Sequence, residues 1–169
     1  LVVAPSRELV QQIEQVWRSM GTGFKVNSCY GGRPSNQEKR DLEVPPALLI
    51  GTPGRLQDHL ERANFDTTAV RTLVLDEFDK SLEMGFTVQM EVITEFLPSV
   101  KKRILTSATN AIVIPASTRI FNHIKLDYSV SENQPSGLKT YSLAGGHNDQ
   151  FDLLFRLLCH LGNNSTLVF

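Results

Sequence analysis

An apolar run turns abruptly acidic at Leu73-Val74-Leu75-Asp76-Glu77-Phe78-Asp79. Three consecutive branched apolar residues predict a short buried strand, and the acids follow directly where that strand ends. A strand that ends in two adjacent carboxylates is typical of sites that hold the magnesium ion of a nucleotide and orient the attacking water. The same pair also fits a solvated loop or a helix cap at Asp76, so the pattern alone leaves these interpretations open.

Similar short apolar runs recur along the chain and alternate with amphipathic stretches. They cover residues 1–4, 24–30, 48–50, 103–106 and 123–126. Between two of them, the segment Ser35-Asn36-Gln37-Glu38 fits a capping box, in which Ser35 would cap a helix and Glu38 would bond back to it. Short strands alternating with helices predict an α/β fold, in which helices cover both faces of a parallel sheet.

Polar clusters follow four of the predicted strands. They are Pro5-Ser6-Arg7-Glu8, Thr52-Pro53-Gly54-Arg55, the acids from Asp76 to Asp79, and Ser107-Ala108-Thr109. Ligands of open parallel sheets bind beyond the carboxyl ends of the strands. We therefore expect the four clusters to converge on one edge of the sheet.

Composition limits the kinds of partner. The 169 residues are 41% apolar and 21% charged, with 17 Lys and Arg against 18 Asp and Glu. A nucleic acid would have to be bound by a few placed groups, because there is no bulk basic field. No apolar run reaches the length of a membrane span. Cys29 and Cys159 lack metal-binding spacing and are expected to be buried as small apolar residues. Their small number favours a reduced, cytoplasmic setting. His59 is expected at the surface of a helix.

The last forty residues change character. Residues 129–137 are polar and predict a linker, after which 140–143 and 166–169 are interpreted as strands around a helical stripe from Phe151 to Leu161. The predicted organisation is therefore a first domain over 1–128, a linker over 129–138 and the beginning of a second α/β domain over 139–169.

Six segments together resemble motifs of the DEAD-box RNA helicases, in the family's order and spacing. They are Pro5–Leu9 (motif Ia), Gly31-Gly32 (the glycine doublet), Thr52–Arg55 (motif Ib), Asp76–Asp79 (motif II), Leu82–Phe86 (the stretch after it) and Ser107–Thr109 (motif III). Phe78 stands where the family usually has alanine. The resemblance implies a RecA-like domain of the P-loop NTPase superfold, followed by the start of a second RecA-like domain.

The resemblance also implies roles for the acids. Asp76 would hold the magnesium of Mg-ATP, Glu77 would act as general base, and Asp79 would pair with motif III, where Ser107 and Thr109 link nucleotide state to strand separation. The resemblance thus implies that the parent protein is an ATP-dependent RNA helicase that unwinds short RNA duplexes or remodels RNA–protein complexes. Protein cofactors are expected as further partners.

Three segments are candidates for binding the RNA backbone. The amides at a helix start favour an anion, which suits Pro5-Ser6-Arg7-Glu8 and Thr52-Pro53-Gly54-Arg55. The glycine doublet Gly31-Gly32 allows a third close approach. Each segment alone also fits ordinary helix capping, by Ser6 or Thr52, or a simple turn. Such contacts would position a strand without reading its sequence.

The phosphate-binding loop Gly-x-x-x-x-Gly-Lys-Ser/Thr does not occur in the 169 residues. The chain opens at Leu1 inside an apolar run, which we interpret as a truncated start, and the 169 residues alone are expected to be inactive. The resemblance implies that the phosphate-loop strand lies beside the motif II strand. Without it, unpaired strand edges would allow the 169-residue chain to self-associate. Two alternatives remain at this point: a non-catalytic module that binds nucleic acid or a partner, and a superfamily 2 DNA helicase.

Overall fold

The computed structural model describes residues 1–109, 113–128, 139, 141–143 and 149–168. The chain divides into two compact units, Leu1–Ile124 and Lys125–Phe169. The linker predicted over 129–138 lies outside the described residues. Its boundaries therefore stay a prediction.

The first unit is built on a five-stranded sheet. Its strands are β1 (Val2–Val3), β2 (Val26–Cys29), β3 (Leu48–Gly51), β4 (Thr72–Leu75) and β5 (Lys102–Leu105). They lie in the order β2-β3-β1-β4-β5, and every neighbouring pair is parallel. The predicted parallel sheet is confirmed, because five of the short apolar runs became strands, each joined to the next by a crossover.

Helices cover both faces of this sheet. The described helices are α1 (Arg7–Ser19), α2 (Ser35–Leu42), α3 (Pro53–Glu61), α4 (Phe78–Glu83), α5 (Thr87–Glu95) and, in the second unit, α6 (Gln150–Leu161). One buried cluster joins Val10 of α1 to Val26 and Ile50. The other joins Leu49 and Leu73 to residues of α3 and α5. Adjacent strand residues point to opposite faces, so one sheet supplies both clusters.

The helix starts match the sequence predictions only in part. The Ser6 hydroxyl accepts a hydrogen bond from the Leu9 amide at 3.2 Å and so caps α1, as predicted. The predicted capping box of α2 is wrong, since Pro34 precedes the helix and Ser35 is its first residue. Glu38 is buried and accepts a hydrogen bond from Arg55 instead of bonding back to the helix start.

The position expected for a phosphate-loop strand is also wrong. β4 is paired on both sides, with Val2 opposite Val74 and Leu73 opposite Arg103. No place remains beside the strand that carries the acids. Within the described sheet, the open edges belong to β2 and β5, and a further strand could join only there.

The end of the first unit and the second unit differ more from expectation. Helix α6 ends before Gly162, as predicted, but residues 123–126, 141–143 and 165–168 are not in strands. A strand needs a hydrogen-bonded neighbour, and these segments have none among the described residues. Cys29 is buried as expected, whereas Cys159 is exposed. No helix in the described ranges is both long and apolar enough to cross a lipid bilayer.

Candidate functional site

Asp76 and Glu77 lie at the carboxyl end of β4, in the turn that starts α4. The Asp76 amide donates to the Val3 carbonyl at 2.9 Å, which continues the pairing with β1 and fixes this residue to the sheet. Glu77 is exposed and has φ of 45° and ψ of 54°, the left-handed region that L-residues seldom adopt. Such backbone strain costs about 1–3 kcal/mol and is concentrated at functional sites.

Thr106 ties the two acids to the neighbouring strand. Its hydroxyl donates to Oδ1 of Asp76. The same hydroxyl oxygen accepts from the Glu77 amide at 3.2 Å, and the Thr106 carbonyl accepts from the Phe78 amide at 3.0 Å. Sequence reasoning missed this residue. Its position directly after β5 and before Ser107 was the signal that could have found it.

Asp79 lies in the first turn of α4 and is only 5% exposed. Burial raises the pKa of its carboxyl, but the Lys80 amide and the Thr109 hydroxyl outweigh that effect, so the pKa is lowered. Oδ1 of Asp79 is buried without a hydrogen-bond partner in the described part of the chain. The Ser107 hydroxyl, in contrast, bonds within its own turn, donating to the Thr109 carbonyl at 3.0 Å.

Phe78 points into the core. It is completely buried and belongs to the same apolar cluster as Leu73 and Ile93. Its aromatic ring therefore fills space beneath the sheet edge, while Glu77 remains exposed. The larger residue changes the packing below the acids without covering them.

The three predicted phosphate-binding segments lie in different local environments. Arg7 and Glu8 are exposed and pair with each other at 2.7 Å. Gly32 has φ of 96°, which glycine adopts at little cost. At Gly54, in the first turn of α3, an added Cβ would meet nothing within 4 Å, so a ligand has room to approach the backbone. Thr52 precedes α3 without capping it through its side chain.

The comparisons with known proteins agree with this geometry. The model of the DEAD/DEAH box helicase family matches residues 1–114. The chain belongs to this family. It is 33% identical over 148 residues to the mitochondrial DEAD-box ATP-dependent RNA helicase 9 of Arabidopsis thaliana, covering 85% of this chain and 24% of that protein. It is 35% identical over 162 residues to the DEAD-box ATP-dependent RNA helicase CshA of Geobacillus kaustophilus, which covers 94% of this chain and 35% of that protein.

Solved structures of DEAD-box helicases have the same fold. A hypothetical ATP-dependent RNA helicase from Sulfolobus tokodaii is similar with a TM-score of 0.61 and 32% identity, over 70% of this chain and 35% of that one. A DEAD box protein from the hyperthermophile Methanococcus jannaschii gives the same TM-score and identity over 64% and 30%. The sheet is thus that of a RecA-like DEAD-box domain. The chain spans between about a quarter and a third of the curated relatives' length.

Within this DEAD-box domain, a buried carboxylate links the motif Ib helix to the glycine doublet. Glu38 is 1% exposed, and its Oε2 accepts from Nε of Arg55 at 2.7 Å and pairs with Nε2 of His59 at 2.8 Å. Its Oε1 accepts from the Tyr30 amide at 3.1 Å. Burial raises the pKa of Glu38, but the hydrogen bonds from His59 and Arg55 lower it below its usual value.

The surface position expected for His59 is wrong, because the side chain is completely buried. It lies on the face of α3 that also buries Leu56 and Leu60. Asn64 occupies the other ring nitrogen, with Nδ2 at 2.8 Å from Nδ1 of His59. A buried polar ring with a partner on each nitrogen is satisfied without solvent.

Cys29, Glu38 and His59 also have ligand atoms within 4.8 Å of one another, a spacing that a metal ion could bridge. Burial raises the pKa of the Cys29 thiol to about 12, which disfavours the thiolate that binds metals. Arg55 already occupies the Glu38 carboxylate. The contacts therefore favour a hydrogen-bonded network over a metal centre.

Proposed function

We propose that the whole protein is an ATP-dependent RNA helicase that couples Mg-ATP hydrolysis to local unwinding of RNA or remodelling of RNA–protein complexes. The observation that carries this proposal is the position of Asp76 and Glu77 at the end of β4, with Thr106 and Asp79 beside them. The family match and the names of the two helicase relatives support it. Neither favours the DNA helicase or the non-catalytic module.

The acids suit the nucleotide chemistry. Carboxylate and hydroxyl oxygens at an exposed strand end are hard ligands of the type Mg²⁺ prefers. When bound, Mg²⁺ would supply electrostatic stabilisation of phosphate oxygens. In this proposal Asp76 holds the ion, and Glu77 takes the proton of the attacking water. The hydrogen bond of Asp79 with Thr109 would then link the nucleotide state to strand separation.

The nucleic-acid side uses backbone rather than bulk charge. Amides at the starts of α1 and α3 and in the glycine doublet would donate to phosphates of one RNA strand. The open space above Gly54 supports this assignment. We also propose a cytoplasmic location and protein cofactors for the whole protein. For the 169-residue chain alone, we propose self-association through the open edges of β2 and β5.

Strand separation by the full-length protein tests the function. A short fluorescent RNA duplex should be released in the presence of ATP and Mg²⁺, and it should stay annealed when ATP is omitted. A DNA duplex of the same sequence is the matched control and should remain paired. Release of the DNA but not the RNA, or ATP turnover that RNA does not stimulate, would contradict the proposal.

A further inference from the structure

Two of the segments proposed to contact RNA are held together by one side chain. Glu38 bonds the Tyr30 amide, directly before the glycine doublet, and it bonds Arg55 and His59 on α3. Tyr30 and Arg55 belong to different crossovers of the sheet. The Thr52 amide, before α3, also donates to the Cys29 carbonyl at 3.0 Å, so the two strand ends are joined by backbone. Glu38 adds a side-chain link between the glycine doublet and the first turns of α3.

Arg55 extends the same linkage. While its Nε bonds Glu38, its Nη2 donates to the Arg33 carbonyl at 2.6 Å, in the residue that follows the doublet. Arg33 is held in turn, because its Nη1 donates to the Ser28 carbonyl at 3.1 Å. The Arg55 side chain is 21% exposed. The Arg55 guanidinium therefore connects α3 to the segment after the glycine doublet and does not project from the surface.

A buried ion pair of this kind is weak evidence for stability, because desolvation offsets much of the attraction. Its better-attested use is to specify one arrangement of the surrounding chain. Here the arrangement that it specifies is the spacing between two groups of backbone donors. Fixing such donors in advance removes the cost of ordering them when a ligand binds.

We propose that Glu38 is a positioning residue for RNA binding, which sets the glycine doublet and the start of α3 at the spacing needed to meet phosphates of one strand together. The inference rests on the proposed function and deepens it. It assigns Arg55 an indirect role, in which the guanidinium acts on the protein backbone rather than on phosphate.

The test uses the full-length protein and a fluorescent single-stranded RNA, with affinity measured by anisotropy at several salt concentrations. Glu38→Gln keeps the size of the side chain and removes its charge. Arg55→Gln removes the opposite partner, and the double variant removes both. Leu97→Ala is the control, because Leu97 is completely buried but makes none of these hydrogen bonds. Circular dichroism selects a temperature at which every variant is folded.

Each single variant should weaken RNA affinity about tenfold, as loss of an orienting partner does at other sites. The double variant should be no weaker than the weaker single one, because both changes break one linkage. The salt dependence should keep its slope, since no cation leaves a phosphate. Leu97→Ala should lower the melting temperature and leave RNA affinity unchanged.

Wild-type affinity in folded Glu38→Gln, or losses that add in the double variant, would overturn the positioning role alone. If Glu38→Gln does not fold, Arg55→Gln decides: weaker binding with an unchanged salt slope supports the role, and a slope smaller by about one overturns it. Failure of the wild-type protein to bind RNA would overturn the proposed function and this inference with it.

Discussion

The hydroxyl of Thr106, directly after β5, donates a hydrogen bond to the carboxylate of Asp76, directly after β4. The two strands are paired in parallel register up to Leu75 and Leu105. The side-chain contact therefore continues the pairing beyond the last paired residues. It orients the acid proposed to hold Mg²⁺ before any nucleotide arrives.

Replacing this hydroxyl should weaken metal binding. Thr106→Val keeps the shape of the side chain but cannot donate to Asp76, whereas Thr106→Ser can. We expect the full-length Val variant to bind Mg²⁺ with ATP about 10- to 100-fold more weakly, as when outer partners of metal ligands are lost. Titration calorimetry measures the effect. Equal Mg²⁺ affinity in the Val and Ser variants would show that Thr106 does not act through Asp76.

Phe78 should matter for folding more than for chemistry. Because the ring is completely buried, Phe78→Ala should leave a cavity and lower the free energy of unfolding by about 3–5 kcal/mol. Phe24→Ala is the matched control, since Phe24 is 67% exposed, and it should change stability by less than about 0.5 kcal/mol. Urea unfolding followed by circular dichroism compares them. Similar stabilities for the two variants would contradict the packing described for Phe78.

The local parts of the fold were predictable from local patterns. The runs at 48–50 and 73–75 predicted strands correctly, and Ser6 predicted the start of α1. The order of the strands was not predictable from such patterns, because which strands become neighbours depends on long-range packing. That is why the strand expected to carry a phosphate loop was wrongly placed beside β4.

The errors at Glu38 and His59 have one physical cause. A capping box and an exposed histidine are the usual interpretations of such residues when neighbours in sequence are considered alone. The two side chains instead satisfy each other across 21 positions of sequence, in a place from which water is excluded. Thr106 was missed for a similar reason, since its partner Asp76 lies 30 residues away.

Gly51 should not tolerate a larger residue, whereas Gly54 should. A Cβ at Gly51 would lie 2.7 Å from the Cys29 carbonyl oxygen and 2.7 Å from Cγ of Leu56, so Gly51→Ala should lower stability by about 1–3 kcal/mol. A Cβ at Gly54 meets open space, so Gly54→Ala should fold normally. Chemical denaturation of both variants checks this. A stable Gly51→Ala variant would contradict the close approach of the Leu56 side chain and the Cys29 carbonyl to Gly51.

The Glu38 network predicts a pH dependence of stability. The pKa of Glu38 is lower in the folded chain than its usual value of 4.5, so its contribution is present above that value. The contribution is lost as the pH falls from about 4.5 through the lower, folded value. Denaturation between pH 3 and pH 6 should therefore show a smaller acid-induced loss in Glu38→Gln than in the wild type. Parallel curves for the two proteins would exclude this linkage.

The most direct measurement of the central claim is ATP hydrolysis by the full-length protein carrying Glu77→Gln. We expect this variant to bind Mg-ATP with near wild-type affinity and to lose about 10²- to 10⁴-fold in RNA-stimulated turnover, because the amide cannot accept the proton of the attacking water. Wild-type turnover in Glu77→Gln would contradict the assignment of the carboxyl end of β4 as the site of ATP hydrolysis.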